Sequence, residues 1–167
     1  VPAERDFVRD ILGRCRPGVV DLSGQLTLKG LAALAGRAKL FVGVDSAPMH
    51  IASAMGTPVV ALFGPSGEAD WGPWSPRARV VTSDRHPCRP CGIDGCGGGK
   101  LSDCLTSLPE APVLAAVQHG AGSPAPMQSA AAVALQLHAV SRMERLNGTE
   151  LFVQRWKPFV TASHTPA

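Results

Sequence analysis

The sequence predicts an α/β fold, a Rossmann-like parallel sheet flanked by helices. Three observations carry that expectation. Two continuous apolar runs, Leu40-Phe41-Val42-Gly43-Val44 and Val59-Val60-Ala61-Leu62-Phe63, read as strands buried on both faces. Helical patterns separate them, and strands alternating with helices imply a parallel sheet with right-handed crossovers. Hydrophobic residues make up 45% of the chain and charged residues only 17%, which suits a packed domain rather than a disordered one. Aromatics are 5%, with no Tyr, so the core must be built from Val, Leu, Ile and Ala.

From Glu4 to Cys15 the residues Phe7, Val8, Ile11, Leu12 and Cys15 recur at helical spacing, which places Cys15 on an apolar face. Arg16-Pro17-Gly18 ends that helix. Val19-Val20-Asp21-Leu22 reads as a short strand, with Ser23-Gly24 as the turn after it. Thr27 is the expected N-cap of a second helix that turns Leu28, Leu31, Leu34 and Ala35 inward, with Gly36 near its end. Asp45 follows the first apolar run, and a helix runs from about Ala47 to Met55, closed by Gly56. Gly64-Pro65-Ser66-Gly67 is a turn, and Ala78 to Thr82 one more short strand. Residues 86–104 are rich in Cys and Gly, and Glu110 to Gln118 is a short helix. The expected organisation is a domain over 1–118, a Gly/Pro/Ser/Ala linker over 119–128, and a C-terminal helix with a loosely ordered tail over 129–167.

The formal charge is +3, and Lys and Arg are scattered rather than clustered on one face. That argues against nucleic acid and leaves an anionic small molecule or an anionic membrane surface as partner. No apolar run reaches membrane-spanning length. The N-terminus has neither an initiator Met nor a basic segment followed by an apolar one, so the chain is expected to start inside a longer protein and to carry no signal peptide.

In parallel α/β sheets, ligands sit outside the carboxyl ends of the strands. That rule directs attention to Ser23-Gly24, Asp45-Ser46-Ala47 and Gly64-Pro65-Ser66. At Asp45-Ser46-Ala47-Pro48-Met49-His50 a strand runs straight into a helix whose first turn holds Ser46 and Pro48. Ser is expected to cap free N–H groups there, and Pro is tolerated where its missing donor goes unused. Free amides and the positive dipole end make such a helix start an anion site. Small residues at Ser46 and Ala47 let a diphosphate approach the backbone. His50 can donate to a phosphate or a ribose hydroxyl. Asp45 would repel phosphate and suits sugar hydroxyls. The competing reading is ordinary strand–helix capping with His50 a satisfied core histidine; the residues alone do not separate the two.

Cys88-x2-Cys91-x4-Cys96-x7-Cys104 offers four thiolates in a Gly-rich loop, with His86 nearby. Four thiolates suit a structural zinc or an iron–sulfur cluster. The irregular spacing favours free thiols instead. Gly97-Gly98-Gly99-Lys100 is not a phosphate-binding loop, because Leu101 cannot hold magnesium. Trp71 and Trp74 either line a cleft or pack under a Pro-rich loop.

Taken in order, several of these segments resemble one family. They are Phe41 to Ala54, Gly56 to Ser66, Asp21-Leu22-Ser23-Gly24 before a Leu-spaced helix, Asp70-Trp71-Gly72-Pro73-Trp74, and Cys88-Arg89-Pro90-Cys91-Gly92 through Cys96 to Asp103-Cys104-Leu105. Together they are similar to the bacterial ADP-heptose:lipopolysaccharide heptosyltransferases of the heptosyltransferase III type, over roughly residues 1–117. The resemblance implies a GT-B fold of two Rossmann-like halves, of which this chain matches the C-terminal, donor-binding half, incomplete at its N-terminus. It implies that Asp45, Ser46, Ala47 and His50 hold the diphosphate and sugar of ADP-heptose, and that Glu4 grips the adenosine ribose. It implies a lipopolysaccharide core acceptor and a place on the cytoplasmic face of the inner membrane. The catalytic base is expected in the acceptor half, so no residue here is assigned that role and the isolated chain is expected to be inactive. Negative charge growing on the leaving diphosphate can be met by helix-start amides, so no cofactor or catalytic metal is required. The alternative is a non-catalytic, metal-stabilised interaction module or an inactive truncated glycosyltransferase.

Overall fold

The computed structural model describes residues 2–15, 17–93, 95–99 and 101–122, with side chains from Val8 onward. The expected helical pattern over 129–146 and the tail lie outside the described residues.

Three parallel strands form the sheet among the described residues, in the order β1 (Phe41–Val44), β2 (Val59–Phe63), β3 (Ala78–Thr82). Phe41 pairs with Val59, and Val59 pairs with Ala78. The helices are α1 (Pro2–Arg14), α2 (Leu28–Ala35), α3 (Ala47–Ala54), α4 (Glu68–Trp71), α5 (Asp103–Thr106) and α6 (Glu110–Ala121). The last of these runs three residues beyond the expected Gln118.

The central strand decides the layering. Its side chains alternate between faces, as a pleated strand requires. Val59, Ala61 and Phe63 join Met49, Ala52 and Ala35 on one face, with Phe41, Trp71 and Ala78 packed around them. Val60 faces the other way, into a cluster with Val81 of β3 and Ala116 of α6, ringed by Leu40, Leu62, Leu108, Val113 and Val117. Behind α3, Ala32 of α2 meets Ile51 and Met55. The sheet is thus sandwiched between helices, and each fully buried side chain such as Phe63 or Met49 contributes roughly 1.5–3 kcal/mol. A buried hydrogen bond ties the layers: Thr57 Oγ1 donates to the Ala35 carbonyl at 2.6 Å. Gly56, at φ +73°, makes the left-handed turn from α3 into β2.

Four expectations need correction. Residues 19–22 are not a strand, and Val19 and Val20 are exposed. A strand exists only with a neighbour to share its ladder, and none lies beside this segment among the described residues. The first strand is not buried on both faces: Val42 and Val44 are each 46% exposed, because β1 is an edge of the described sheet and α6 packs over β2 and β3. In α2 the buried residues are Ala32 and Ala35, whereas Leu28 and Leu34 are exposed. Small residues at the contact let α2 lie close against α3. Cys15 is exposed, not a core residue, and among the described side chains of α1, from Val8 onward, none joins the three core clusters. Thr27, by contrast, caps α2 as expected, accepting from the Gly30 amide at 3.1 Å.

Candidate functional site

Asp45 stands at the carboxyl end of β1, where the chain leaves the sheet and enters α3 within two residues. Ser46 is extended (φ −165°, ψ 165°), and Pro48 sits in the first turn, where its fixed φ suits the helix. The Ser46 hydroxyl does not cap α3. It donates backwards to the Val44 carbonyl at 3.2 Å. The Met49 and His50 amides both return to the Ser46 carbonyl, at 3.0 and 3.4 Å. Since Pro48 has no N–H, the amides this turn can offer an anion are those of Ser46 and Ala47.

His50 is 4% exposed. Its ring lies against Trp74, centroids 6.2 Å apart and tilted by 57°. Its Nε2 is 3.7 Å from Asp45 Oδ1. Burial pulls the imidazole below its usual pKa, and the Asp45 charge pushes back only in part. The ring therefore stays neutral near pH 7. It can pack behind Asp45 but not serve as a standing cation. Trp74 thus packs against the site's histidine, while Trp71 seals the core beside Phe63.

A cleft of about 350 Å³ opens beside Asp45, off the carboxyl ends of β1 and β2. It is lined by Val44, Asp45 and Leu62 of the strand ends, by Gly64, Pro65 and Ser66 of the turn after β2, and by Leu101, Ser102, Leu105 and Thr106. Of the residues singled out in the sequence, Asp45 and the Gly-Pro-Ser turn line this cleft. Ser46, Ala47 and His50 follow Asp45 in the chain but are not among its lining. Glu4 belongs to α1, and its side chain lies outside the described residues.

Sequence reasoning missed the far wall. Leu101, Ser102, Leu105 and Thr106, the lining residues of that stretch, carry no chemical motif of their own. They reach the cleft because the Cys-rich loop folds back onto the turn after β2. Arg89 fastens it there, donating from Nε to the Gly64 carbonyl at 2.6 Å and from Nη2 to Glu68 at 2.9 Å. The Gly92 amide adds a bond to the Pro65 carbonyl at 2.9 Å. Leu105 lies over Gly64 so closely that a Cβ there would come within 2.6 Å of it. That contact explains the glycine.

None of the five cysteines is paired in a disulfide. Cys88, Cys91 and Cys96 are exposed, and Cys104 is buried. Burial pushes the Cys104 thiol up; Cys96 and Cys91 add to the push, and the Arg89 guanidinium opposes it. Among the described residues no three metal-ligating side chains stand together as a ready metal site.

Residues 2–100 match the family model of glycosyltransferase family 9 (heptosyltransferase). The chain belongs to that family. It is 48% identical over 69 residues to lipopolysaccharide heptosyltransferase 3 of Escherichia coli, covering 41% of this chain and 20% of that protein. Lipopolysaccharide heptosyltransferase 1 of Pseudomonas aeruginosa is 32% identical over 85 residues, 50% of this chain and 24% of the relative. Lipopolysaccharide heptosyltransferase 2 of Salmonella typhimurium is 39% identical over 61 residues, 36% and 18% respectively. The chain thus spans about a fifth of the length of these relatives. No solved structure matches it. The matched family segment holds β1 to β3, Asp45, the turn after β2 and the first three cysteines of the loop. No helix among the described residues is long and apolar enough to cross a membrane.

Proposed function

We propose that this chain is the donor-binding part of a family 9 heptosyltransferase, taking ADP-heptose in the cleft beside Asp45 for transfer to the lipopolysaccharide core. The observation that carries the reading is the cleft itself, set at the carboxyl ends of two parallel strands with the Asp45 carboxylate in its lining and a helix start next to it.

The chemistry follows from charge. An acceptor hydroxyl attacks the anomeric carbon, the bond from that carbon to the diphosphate breaks, and ADP leaves with the bonding pair. Negative charge grows on the diphosphate, and the Ser46 and Ala47 amides at the positive end of α3 suit it. Asp45 accepts from sugar hydroxyls, with neutral His50 behind it holding its orientation. Glu4 serves the adenosine ribose. The acceptor's proton goes to a base outside this chain, supplied by the acceptor half. The assembled enzyme works at the cytoplasmic face of the inner membrane, and the step needs no resident metal.

Calorimetry with ADP and ADP-heptose tests this. The chain should bind ADP, and Asp45→Asn should weaken ADP-heptose about tenfold, near 1.4 kcal/mol, while leaving ADP nearly unchanged. Equal losses for both ligands, or no ADP binding, would sink the assignment. The 167-residue chain alone should transfer no heptose.

A further inference from the structure

The composition of the cleft beside Asp45 selects which end of a nucleotide sugar can enter it. Its lining holds one carboxylate, Asp45, and no Lys, Arg or His. A diphosphate placed there would meet a like charge and no counter-charge. No aromatic ring lines it either, so an adenine would have nothing to stack on. What remains is aliphatic surface from Val44, Leu62, Leu101 and Leu105, interrupted by the hydroxyl residues Ser66, Ser102 and Thr106. A sugar ring has the same mixture: C–H faces that suit aliphatic side chains, and a rim of hydroxyls that need polar partners. The volume of about 350 Å³ is near the lower end of the roughly 300–1,000 Å³ of small-molecule sites, room for one monosaccharide rather than a whole nucleotide sugar.

Two hydroxyls in the lining are unspent. Ser102 stands at the N-cap of α5 but makes no capping bond there, and no hydrogen bond joins the Ser102 or Ser66 hydroxyl to another described residue. Thr106 differs, donating its hydroxyl to the Ser102 carbonyl at 3.4 Å. Both serines are half-buried, so each can trade solvent for a ligand hydroxyl, as donor and as acceptor. Their placement is held by the scaffold. Ser66 belongs to the turn after β2, and Ser102 follows the Cys-rich loop that Arg89 and Gly92 fasten to the Gly64 and Pro65 carbonyls of that turn. We propose that this cleft is the sugar subsite of the donor, and that Ser66 and Ser102 are its specificity-determining residues, reading hydroxyls of the heptose alongside Asp45. The assignment rests on the donor reading and divides the donor between two places. The diphosphate stays outside the cleft, at the Ser46 and Ala47 amides, neither of which belongs to the lining.

Calorimetry of the full chain with ADP, ADP-heptose and deoxy analogues of ADP-heptose, each lacking one heptose hydroxyl, tests the subsite. Ser66→Ala and Ser102→Ala should each weaken ADP-heptose by about three- to tenfold and leave ADP unchanged. For each variant, one deoxy analogue should bind the variant and the unaltered chain alike, because the bond in question is already gone. Ser102→Leu puts a branched side chain into the cleft and should weaken ADP-heptose by more than about tenfold, again with ADP unchanged. Ser107→Ala, just after α5 and outside the lining, should alter neither ligand. Circular dichroism shows that each variant is folded, and the deoxy series on the unaltered chain needs no variant. Equal losses for ADP and ADP-heptose, or no loss in either serine variant, overturn the subsite. If Asp45→Asn still weakens ADP-heptose selectively in that case, the donor reading stands without it. Failure of the unaltered chain to bind ADP overturns both.

Discussion

The Nε2 of His50 lies 3.7 Å from Asp45 Oδ1, with the imidazole buried against Trp74 and the carboxylate turned to the cleft. This pair joins the core to the site. Burial lowers the His50 pKa below its ordinary 6.5, with Asp45 opposing. The unfolded chain therefore binds the His50 proton more readily than the folded one. Above about pH 6.5 the contribution to stability is intact, and it is lost as pH falls toward the lowered folded value. Melting temperature should fall between about pH 7.5 and about pH 5.5, and His50→Gln should flatten that slope. An unchanged slope in the variant would show that the proton is taken up elsewhere.

Thr27 and Ser46, both at helix starts, are not equivalent. Thr27 caps α2 through its side chain, and Ser46 makes no such bond to α3. Thr27→Ala should cost about 1 kcal/mol in denaturant titration, and Ser46→Ala under about 0.5 kcal/mol. A larger loss at Ser46 would mean that its hydroxyl does cap the helix in solution.

Thr57 is 1% exposed, and its hydroxyl meets the Ala35 carbonyl at 2.6 Å. Thr57→Val keeps the shape and removes the donor, leaving the Ala35 carbonyl with the Ala38 amide as its remaining partner. A loss of about 0.5–1.5 kcal/mol is expected. Thr57→Ser keeps the donor and should recover most of the hydrogen-bonding part of that loss, which separates it from packing.

Gly64 and Leu105, both lining the cleft, form a steric pair. A methyl at Gly64 has to displace the flexible Leu105 side chain, so Gly64→Ala should destabilise by roughly 1–3 kcal/mol and weaken ADP binding. Adding Leu105→Ala should relieve the clash and restore binding in part. Strictly additive losses in the double variant would mean that the two residues do not touch.

Much of the site's near side was legible in the sequence, because it is local. The run into Asp45, the Pro48 helix start and the Gly-Pro-Ser turn after β2 are contiguous stretches whose residue types dictate their shapes. Leu101 to Thr106 were not legible. They reach the cleft through Arg89 and Gly92, bonds that link positions far apart in the chain. Ser46 illustrates a subtler failure. Residue type favoured a cap, but the extended backbone allowed a competing acceptor two residues back.

By itself the sequence determined the α/β alternation, the β2 and β3 boundaries, the Thr27 cap and the resemblance to the heptosyltransferases, since apolar periodicity and short motifs act over a few residues. Only the tertiary structure decided that residues 19–22 do not pair, that Ala32 is buried against α3 while Leu28 and Leu34 are exposed, that His50 is buried, and that the cysteine loop reaches the cleft. Strand pairing, burial and desolvation depend on what lies alongside a residue, and that neighbour comes from elsewhere in the chain.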